Sequence, residues 1–208
     1  EFRRVLFRSL GTKLLSAQES GFVSRWHEWP DMHWAGPEYW GNRLQDWRVA
    51  NGTLVCGVRA PNRTLHCLTH TATGADFATS VDVVRPSGGH GSLTGFRLGL
   101  KGRVDDVRSA AVHGEGLDVG IDGSGALVIG DRRSEAVLPG DGSVRLETTV
   151  SRAGSNARVV LVARSADTGA EHATFARDDL PTVDLIGNRS EEHTSELQSR
   201  PHISYAVF

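Results

Sequence analysis

The sequence predicts an all-β protein made of two packed antiparallel sheets. Apolar and polar residues alternate in short runs, which is typical of strands with one buried face. Turn residues separate the runs, and Asn51-Gly52 and Asp122-Gly123 have the composition of tight hairpin turns. All 24 glycines lie between Leu10 and Asn188, and this density indicates many turns. The prediction is therefore a two-sheet sandwich, with a closed barrel as the alternative arrangement.

Eleven segments carry the strand pattern. In chain order they are Trp47–Ala50, Thr53–Val58, Thr64–Thr69, Phe77–Val84, Gly95–Lys101, Ser109–Val112, Leu117–Ile121, Ala126–Gly130, Val144–Val150, Val159–Arg164 and His172–Ala176. Asn51-Gly52 joins the first two of them, Asp122-Gly123-Ser124-Gly125 joins the seventh to the eighth, and Asp141-Gly142 marks a third turn. The best helical pattern, around Thr12–Ser20, is short.

Composition places the chain among ordinary globular proteins. It has 208 residues, 38% of them hydrophobic and 23% charged, with a net charge of −2. This length fits one domain, and the charge balance does not indicate nucleic acid as a partner. No apolar run reaches the ~18 residues that a membrane-spanning helix requires, so no membrane span is predicted.

All five tryptophans lie between Trp26 and Trp47, and we call residues 26–47 the Trp-rich segment. One interpretation is an aromatic platform that stacks on sugar rings or another flat ligand. Its candidate ligand-binding residues are Trp34, Tyr39, Trp40 and Trp47. The other interpretation, which we favour, is a segment that wraps over the end of the sandwich and buries its rings. Asp31, Glu38 and Asp46 could then accept hydrogen bonds from the indole N–H groups.

No motif assigns catalytic residues or metal ligands. His66 and His70 have the spacing of a helical metal pair, but on a strand they lie about 13 Å apart, at about 3.3 Å per residue. That distance is too long for one zinc ion. The sequence also lacks a phosphate-binding Gly-Lys-Ser/Thr loop, an H-E-x-x-H motif and a nucleophile elbow. Cys56 and Cys67 flank a hairpin-like turn, so they form either a disulfide, if the protein is exported, or two reduced core thiols.

Four long phrases resemble one protein family. They are GPEYWGNRLQDWRVANGTLVC (36–56), NRTLHCLTH (62–70), GFRLGLKGRVDDVRSAAVHGEGLDVGIDGSGALVIG (95–130) and DLPTVDLIGN (179–188). Together they are similar to the region that precedes the phosphatase domain in bacterial alkaline phosphatase D-like metallophosphoesterases. The resemblance implies a concanavalin-like or LamG-like jelly-roll sandwich, followed in the parent protein by a hydrolase that uses divalent metal ions. It also implies export to the periplasm, the cell surface or the medium.

The resemblance implies a module without catalytic residues or a cofactor of its own, because the family's metal ligands belong to the domain that follows. We therefore expect a non-catalytic part of a phosphoester hydrolase. Its expected partner is the parent's own catalytic domain, on which it packs or which it positions. The alternative is a lectin-like module that binds an extracellular glycan or another polymer through the Trp-rich segment.

Both ends of the chain resemble translated DNA-sequencing adapters. Residues 1–9, EFRRVLFRS, correspond to one adapter strand, and residues 189–208, which begin RSEEHTSELQS and end ISYAVF, correspond to its reverse complement. The natural module is then residues 10–188, truncated on both sides. We accordingly expect a sandwich that lacks its last strands and has an unpaired sheet edge, and we do not expect the Ser/Glu-rich tail to supply a strand.

Overall fold

A computed structural model of the chain describes residues 5–8, 23–58, 63–68, 76–84, 92–98, 116–138, 142–181 and 185. These residues form an all-β sandwich of antiparallel sheets, which confirms the predicted fold class; the sheets do not close into a barrel. The described residues also include two single-turn 3₁₀ helices, Trp26–Glu28 and Leu44–Asp46.

The larger sheet has seven strands in the order β13-β12-β11-β6-β1-β4-β3, and every neighbouring pair is antiparallel. Their bounds are β1 Val5–Arg8, β3 Trp47–Ala50, β4 Thr53–Cys56, β6 Phe77–Val84, β11 Ser143–Ala153, β12 Asn156–Ser165 and β13 Glu171–Pro181. Within the described ranges, β13 and β3 are the outermost strands of this sheet.

The smaller sheet has four strands in the order β10-β9-β8-β7. They are β7 Leu93–Leu98, β8 Leu117–Asp122, β9 Ala126–Ile129 and β10 Arg132–Val137. A separate pair joins β2, Tyr39–Gly41, to β5, Leu65–Cys67.

The core lies between the two main sheets and follows from the period-two pattern of the sequence. The buried apolar residues of each strand are separated by even numbers of positions, as the apolar alternation predicts; they are Val144, Leu146 and Val150 in β11 and Ala157, Val159, Leu161 and Ala163 in β12. These side chains belong to the same buried cluster as the alternate apolar residues of the smaller sheet. Its members include Val144, Leu146, Val150, Val159, Leu161, Phe96, Val119, Ile121, Leu127 and Ile129. The opposite face of the larger sheet carries cross-strand ion pairs such as Arg145–Asp82 and Arg164–Glu147.

The predicted and observed strands differ mainly at their ends. β3 and β6 have the predicted bounds, whereas β11, β12 and β13 extend beyond theirs. β2 and β10 were not predicted, because β2 has three residues between turn residues and β10 is exposed and polar. The predicted strand Ser109–Val112 and the pattern at Thr12–Ser20 lie outside the described residues.

Strand β1 comes from the segment that resembles a translated adapter. Val5–Arg8 lies inside the larger sheet, between β4 and β6. Val5, Leu6 and Phe7 pair with Cys56, Val55 and Leu54, respectively. On its other side, Phe7 pairs with Val83 and Arg8 pairs with Asp82. The first residues of the chain therefore complete the middle of a sheet.

Arg177 of β13 connects the two main sheets. Its Nη1 atom donates to the Ile129 carbonyl oxygen at 3.1 Å and to the Asp131 carboxylate at 2.5 Å, at the turn between β9 and β10. Its Nε atom donates to Asp179 at 3.0 Å, and Arg132 of β10 donates to the same carboxylate at 2.7 Å. This network joins the edge of the larger sheet to the smaller sheet on one side of the sandwich.

Candidate functional site

The Trp-rich segment folds back onto strand β3, at the edge of the larger sheet. It begins with the 3₁₀ turn Trp26–Glu28 and ends with the 3₁₀ turn Leu44–Asp46. Between them, the Met32 N–H donates to the Val49 carbonyl at 3.0 Å, and the Val49 N–H donates to the Met32 carbonyl at 2.9 Å. This two-way bridge holds the segment against the outermost described strand on that side.

Three large rings of the segment are buried. Trp26 is 1% exposed, Tyr39 3% and Trp47 1%. The Trp26 indole N–H donates to the Ala35 carbonyl at 3.0 Å, and its ring lies 5.2 Å from the Tyr39 ring at an angle of 33°. The Tyr39 hydroxyl is hydrogen-bonded to Ser24, and burial raises its pKa well above the usual range despite that bond. Tyr39 and Trp47, two of the four candidate ligand-binding residues, therefore pack inside the protein.

The other two candidate ligand-binding residues keep contact with solvent. Trp34 is 39% exposed, and Trp40 is partly buried. The Trp40 ring lies 5.0 Å from the His66 ring at 49°, and the buried His66 Nε2 atom lies 3.2 Å from the Thr64 hydroxyl. One side of Trp40 is therefore occupied by the protein itself, which leaves Trp34 as the most accessible ring among the four candidates.

The acidic residues of this segment do not accept the Trp26 indole N–H, which donates to a backbone carbonyl instead. They bond to other groups. Asp31 accepts the Asn51 N–H at 2.8 Å and so fixes the turn between β3 and β4. Glu38 pairs with Arg25 at 3.3 Å, and Asp46 pairs with the buried Arg63 at 2.5 Å. These carboxylates tie the segment to neighbouring loops.

Cys56 and Cys67 are both buried thiols and are not joined by a disulfide. The Cys56 thiol donates to the Val58 carbonyl at 3.3 Å. Burial raises the pKa of Cys56 to about 11, so this thiol stays protonated at neutral pH.

The histidines of the described part do not converge. His27, His33 and His172 are exposed, whereas His66 is buried beside Trp40; His70, His90 and His113 lie outside the described residues. Among the residues that the structure describes, no group of three or more His, Cys, Asp or Glu side chains is placed to hold a metal ion.

A partly buried ion pair, on the face of the smaller sheet opposite the one that carries Phe96 and Val119, is a feature that the sequence did not reveal. Arg97 of β7 lies directly opposite Asp118 of β8, and the Arg97 Nε atom donates to the Asp118 carboxylate at 2.5 Å. The Arg97 side chain is almost completely buried, and that of Asp118 is 26% exposed. Burial raises the pKa of Asp118 to about 7, although Arg97 partly offsets the shift.

Two glycines next to this pair bring strands β7 and β8 unusually close. Gly95 lies opposite Gly120, and a Cβ atom on Gly120 would be 2.2 Å from the Thr94 carbonyl oxygen. A side chain of any size is therefore excluded at Gly120. Farther along the same strand, Asp122 accepts bonds from the Ser124 and Ala126 N–H groups and from Arg133 at 3.2 Å, which stabilises the following turn.

The raised pKa of Asp118 predicts that its contribution to stability decreases as pH rises. In the unfolded chain the carboxyl loses its proton near pH 4, whereas the folded protein retains it up to about pH 7. Between those values the folded state binds more protons, so the free energy of unfolding falls with increasing pH. We expect the wild type to lose stability relative to Asp118→Asn across this window, measured by urea unfolding from pH 4 to 8. A difference between the two proteins that is independent of pH would contradict this assignment.

In comparisons with known proteins, no protein-family model, no curated protein and no solved structure matches the chain. A search of the described residues for helices long and apolar enough to cross a membrane found none.

Proposed function

We propose that the chain is a non-catalytic β-sandwich module of an exported alkaline phosphatase D-like phosphoester hydrolase, which packs on and positions the catalytic domain. The four phrases quoted above support the family. The burial of Trp26, Tyr39 and Trp47 is the observation that carries the structural role. A stacking platform needs open ring faces, whereas these rings pack in the core and fasten the Trp-rich segment to the body of the sandwich. The divalent metal ions of the parent belong to its catalytic domain.

A lectin-like role is the second candidate, and the exposure of Trp34 favours it. Trp34 is 39% exposed, and Trp40 nearby in the chain is partly accessible. Two rings can stack on a glycan or another extended polymer, although they offer less contact area than the four candidate rings would offer together.

The genomic reading frame tests the family assignment. Outward-directed primers in the codons for Phe77–Val84 and Glu171–Pro181 would recover the flanking DNA from the source material. We expect a metallophosphoesterase domain in frame after Asn188 and a signal peptide before Leu10. An unrelated domain or a stop codon directly after Asn188 would refute the proposal.

Two measurements on the purified chain distinguish the roles. We expect no hydrolysis of p-nitrophenyl phosphate or bis-p-nitrophenyl phosphate with Mn²⁺, Zn²⁺ or Ca²⁺, and turnover above the blank would contradict the non-catalytic assignment. We also expect tryptophan fluorescence to be unchanged by soluble polysaccharides. A saturable change that disappears in Trp34→Ala would instead support the lectin-like role.

A further inference from the structure

The turn between β3 and β4 exposes an asparagine that is followed directly by a glycine. Asn51 and Gly52 form the tip of this hairpin, and both have positive φ angles, 52° and 69°. Asn51 is exposed. Its backbone N–H donates to Asp31 at 2.8 Å, and its carbonyl accepts the Thr53 hydroxyl at 3.2 Å. Among the described residues, its side-chain amide has no hydrogen-bond partner, so this amide can rotate in solvent.

The fold itself favours this pair of residues at the tip. The φ angle of 52° at position 51 suits Asn, Asp or Gly. A Cβ atom on Gly52 would lie 3.0 Å from the His27 Cα atom, and the φ angle of 69° is unfavourable for residues other than glycine. Asparagine followed by glycine is chemically reactive, because the next backbone nitrogen can attack the side-chain amide and glycine has no Cβ atom to obstruct the approach.

Other turns of the described part lack this combination, and Asn-Gly occurs once in the sequence. Asp122-Gly123 lies at the end of β8, but Asp122 is 1% exposed and its carboxylate accepts the Ser124 and Ala126 N–H groups. Asn156, at the start of β12, is exposed, but an alanine follows it. Exposure, an unbonded amide and a following glycine therefore coincide at Asn51.

We propose that Asn51 is a site of spontaneous deamidation, in which the chain supplies the nucleophile and water is the co-reactant. The Gly52 nitrogen attacks the Asn51 Cγ atom, and the new C–N bond closes a succinimide ring. The Cγ–Nδ2 bond breaks, and ammonia leaves with the proton of the Gly52 nitrogen. Water then adds to either ring carbonyl and opens the ring. The products are aspartate and isoaspartate, and in isoaspartate the main chain runs through the side-chain carbons.

Either product weakens the attachment of the Trp-rich segment. Both products place a carboxylate beside Asp31, whose own carboxylate holds the Asn51 N–H, and like charges repel. Isoaspartate also lengthens the main chain of the turn, so the strand pairing next to it loses its register. Asp31 adjoins Met32, whose two-way bridge to Val49 holds the segment on β3. This bridge therefore loosens. The inference is independent of the phosphatase assignment.

The test is a timed incubation of the full chain in neutral buffer at physiological temperature, followed by trypsin digestion and mass spectrometry. Trypsin releases Asn51 in VANGTLVCGVR (49–59) and Asn156 in AGSNAR (153–158). We expect the first peptide to gain about 1 Da, since –NH₂ is replaced by –OH. It should do so at least about tenfold faster than the second peptide, in which a Cβ atom follows the asparagine. A sample digested before incubation corrects for reaction during digestion.

Asn51→Gly is the matched control, because glycine keeps the positive φ angle of the turn and has no side-chain amide. Its peptide should gain no mass. If this variant does not fold, Asn51→Gln takes its place, since attack on the longer side chain closes a larger and less favourable ring. In incubated wild type, the Met32 and Val49 amides should exchange hydrogen at least about threefold faster than in fresh protein. The incubated control should show no such change.

The remaining outcomes decide against one part of the proposal or all of it. The absence of a mass gain at residue 51, or a rate no higher than that at Asn156, would overturn the site. The modified peptide should separate into two chromatographic peaks of equal mass; aspartate alone would overturn the succinimide step, because direct hydrolysis yields no isoaspartate. Unchanged exchange at Met32 and Val49 in the modified protein would overturn the loosening of the Trp-rich segment.

Discussion

Replacement of Trp26 by alanine is expected to lower the free energy of unfolding by about 3–5 kcal/mol, the usual cost of deleting a buried aromatic side chain. Trp26 is 1% exposed, stacks near Tyr39 and donates its indole N–H to Ala35. The variant leaves a cavity and an unbonded carbonyl under the Trp-rich segment. Urea unfolding followed by far-ultraviolet circular dichroism measures the loss, with the m-value as the check on two-state behaviour.

Trp34→Ala is the matched control, because it deletes the same side chain from the same segment at a site that is 39% exposed. We expect it to cost less than about 1 kcal/mol, as surface substitutions usually do. Equal losses in the two variants would mean that the segment does not pack as described. A large loss only in Trp34→Ala would reverse the assignment of buried and exposed rings.

Gly120→Ala is expected to destabilise the protein by about 3 kcal/mol, at the upper end of the range for overpacking. The new Cβ atom would lie 2.2 Å from the Thr94 carbonyl oxygen and 2.9 Å from the Gly95 Cα atom. Both neighbours are backbone atoms of β7, so the strands must separate to admit a methyl group. Thermal unfolding would show a lower melting temperature, and weak expression of folded protein would have the same cause.

The control for this variant is Gly142→Ala, just before strand β11. Among the described residues, no atom lies within 4 Å of where that Cβ atom would be, so the melting temperature should change little. If Gly120→Ala is as stable as the wild type, β7 and β8 do not approach each other as closely as the structure shows.

Most of the sandwich could be predicted from local patterns. The sequence predicts both ends of β3 and of β6 correctly, because turn residues flank a clear alternation of apolar and polar residues in each strand. β10 was missed because its residues face solvent and carry no apolar alternation. β1 is not predictable from local pattern, because its four residues resemble part of a translated adapter and pair with strands about 50 and 75 residues away in the chain.

The candidate site was less predictable, because burial depends on how distant segments pack. The sequence identified the Trp-rich segment and favoured its role as a buried cover, but it could not tell Trp26 and Trp47 from Trp34. The Arg97–Asp118 pair depends on the register of β7 and β8, which are separated by residues 99–116. The only signal for it was one charged residue in each of two neighbouring strands, and that pattern is common on exposed faces.

The position of Arg177 has a consequence for how the molecule opens. Because one guanidinium group bonds β13 of the larger sheet to the β9–β10 turn of the smaller one, the two sheets cannot separate on that side unless several charge-assisted bonds break together. Fluctuations that expose the amides of β9 should therefore also expose those of β13. An edge strand without such a link would fray by itself. Strand β13, although it lies at the outer edge of its sheet, should instead exchange its amide hydrogens in the same cooperative unit as the interior of the smaller sheet.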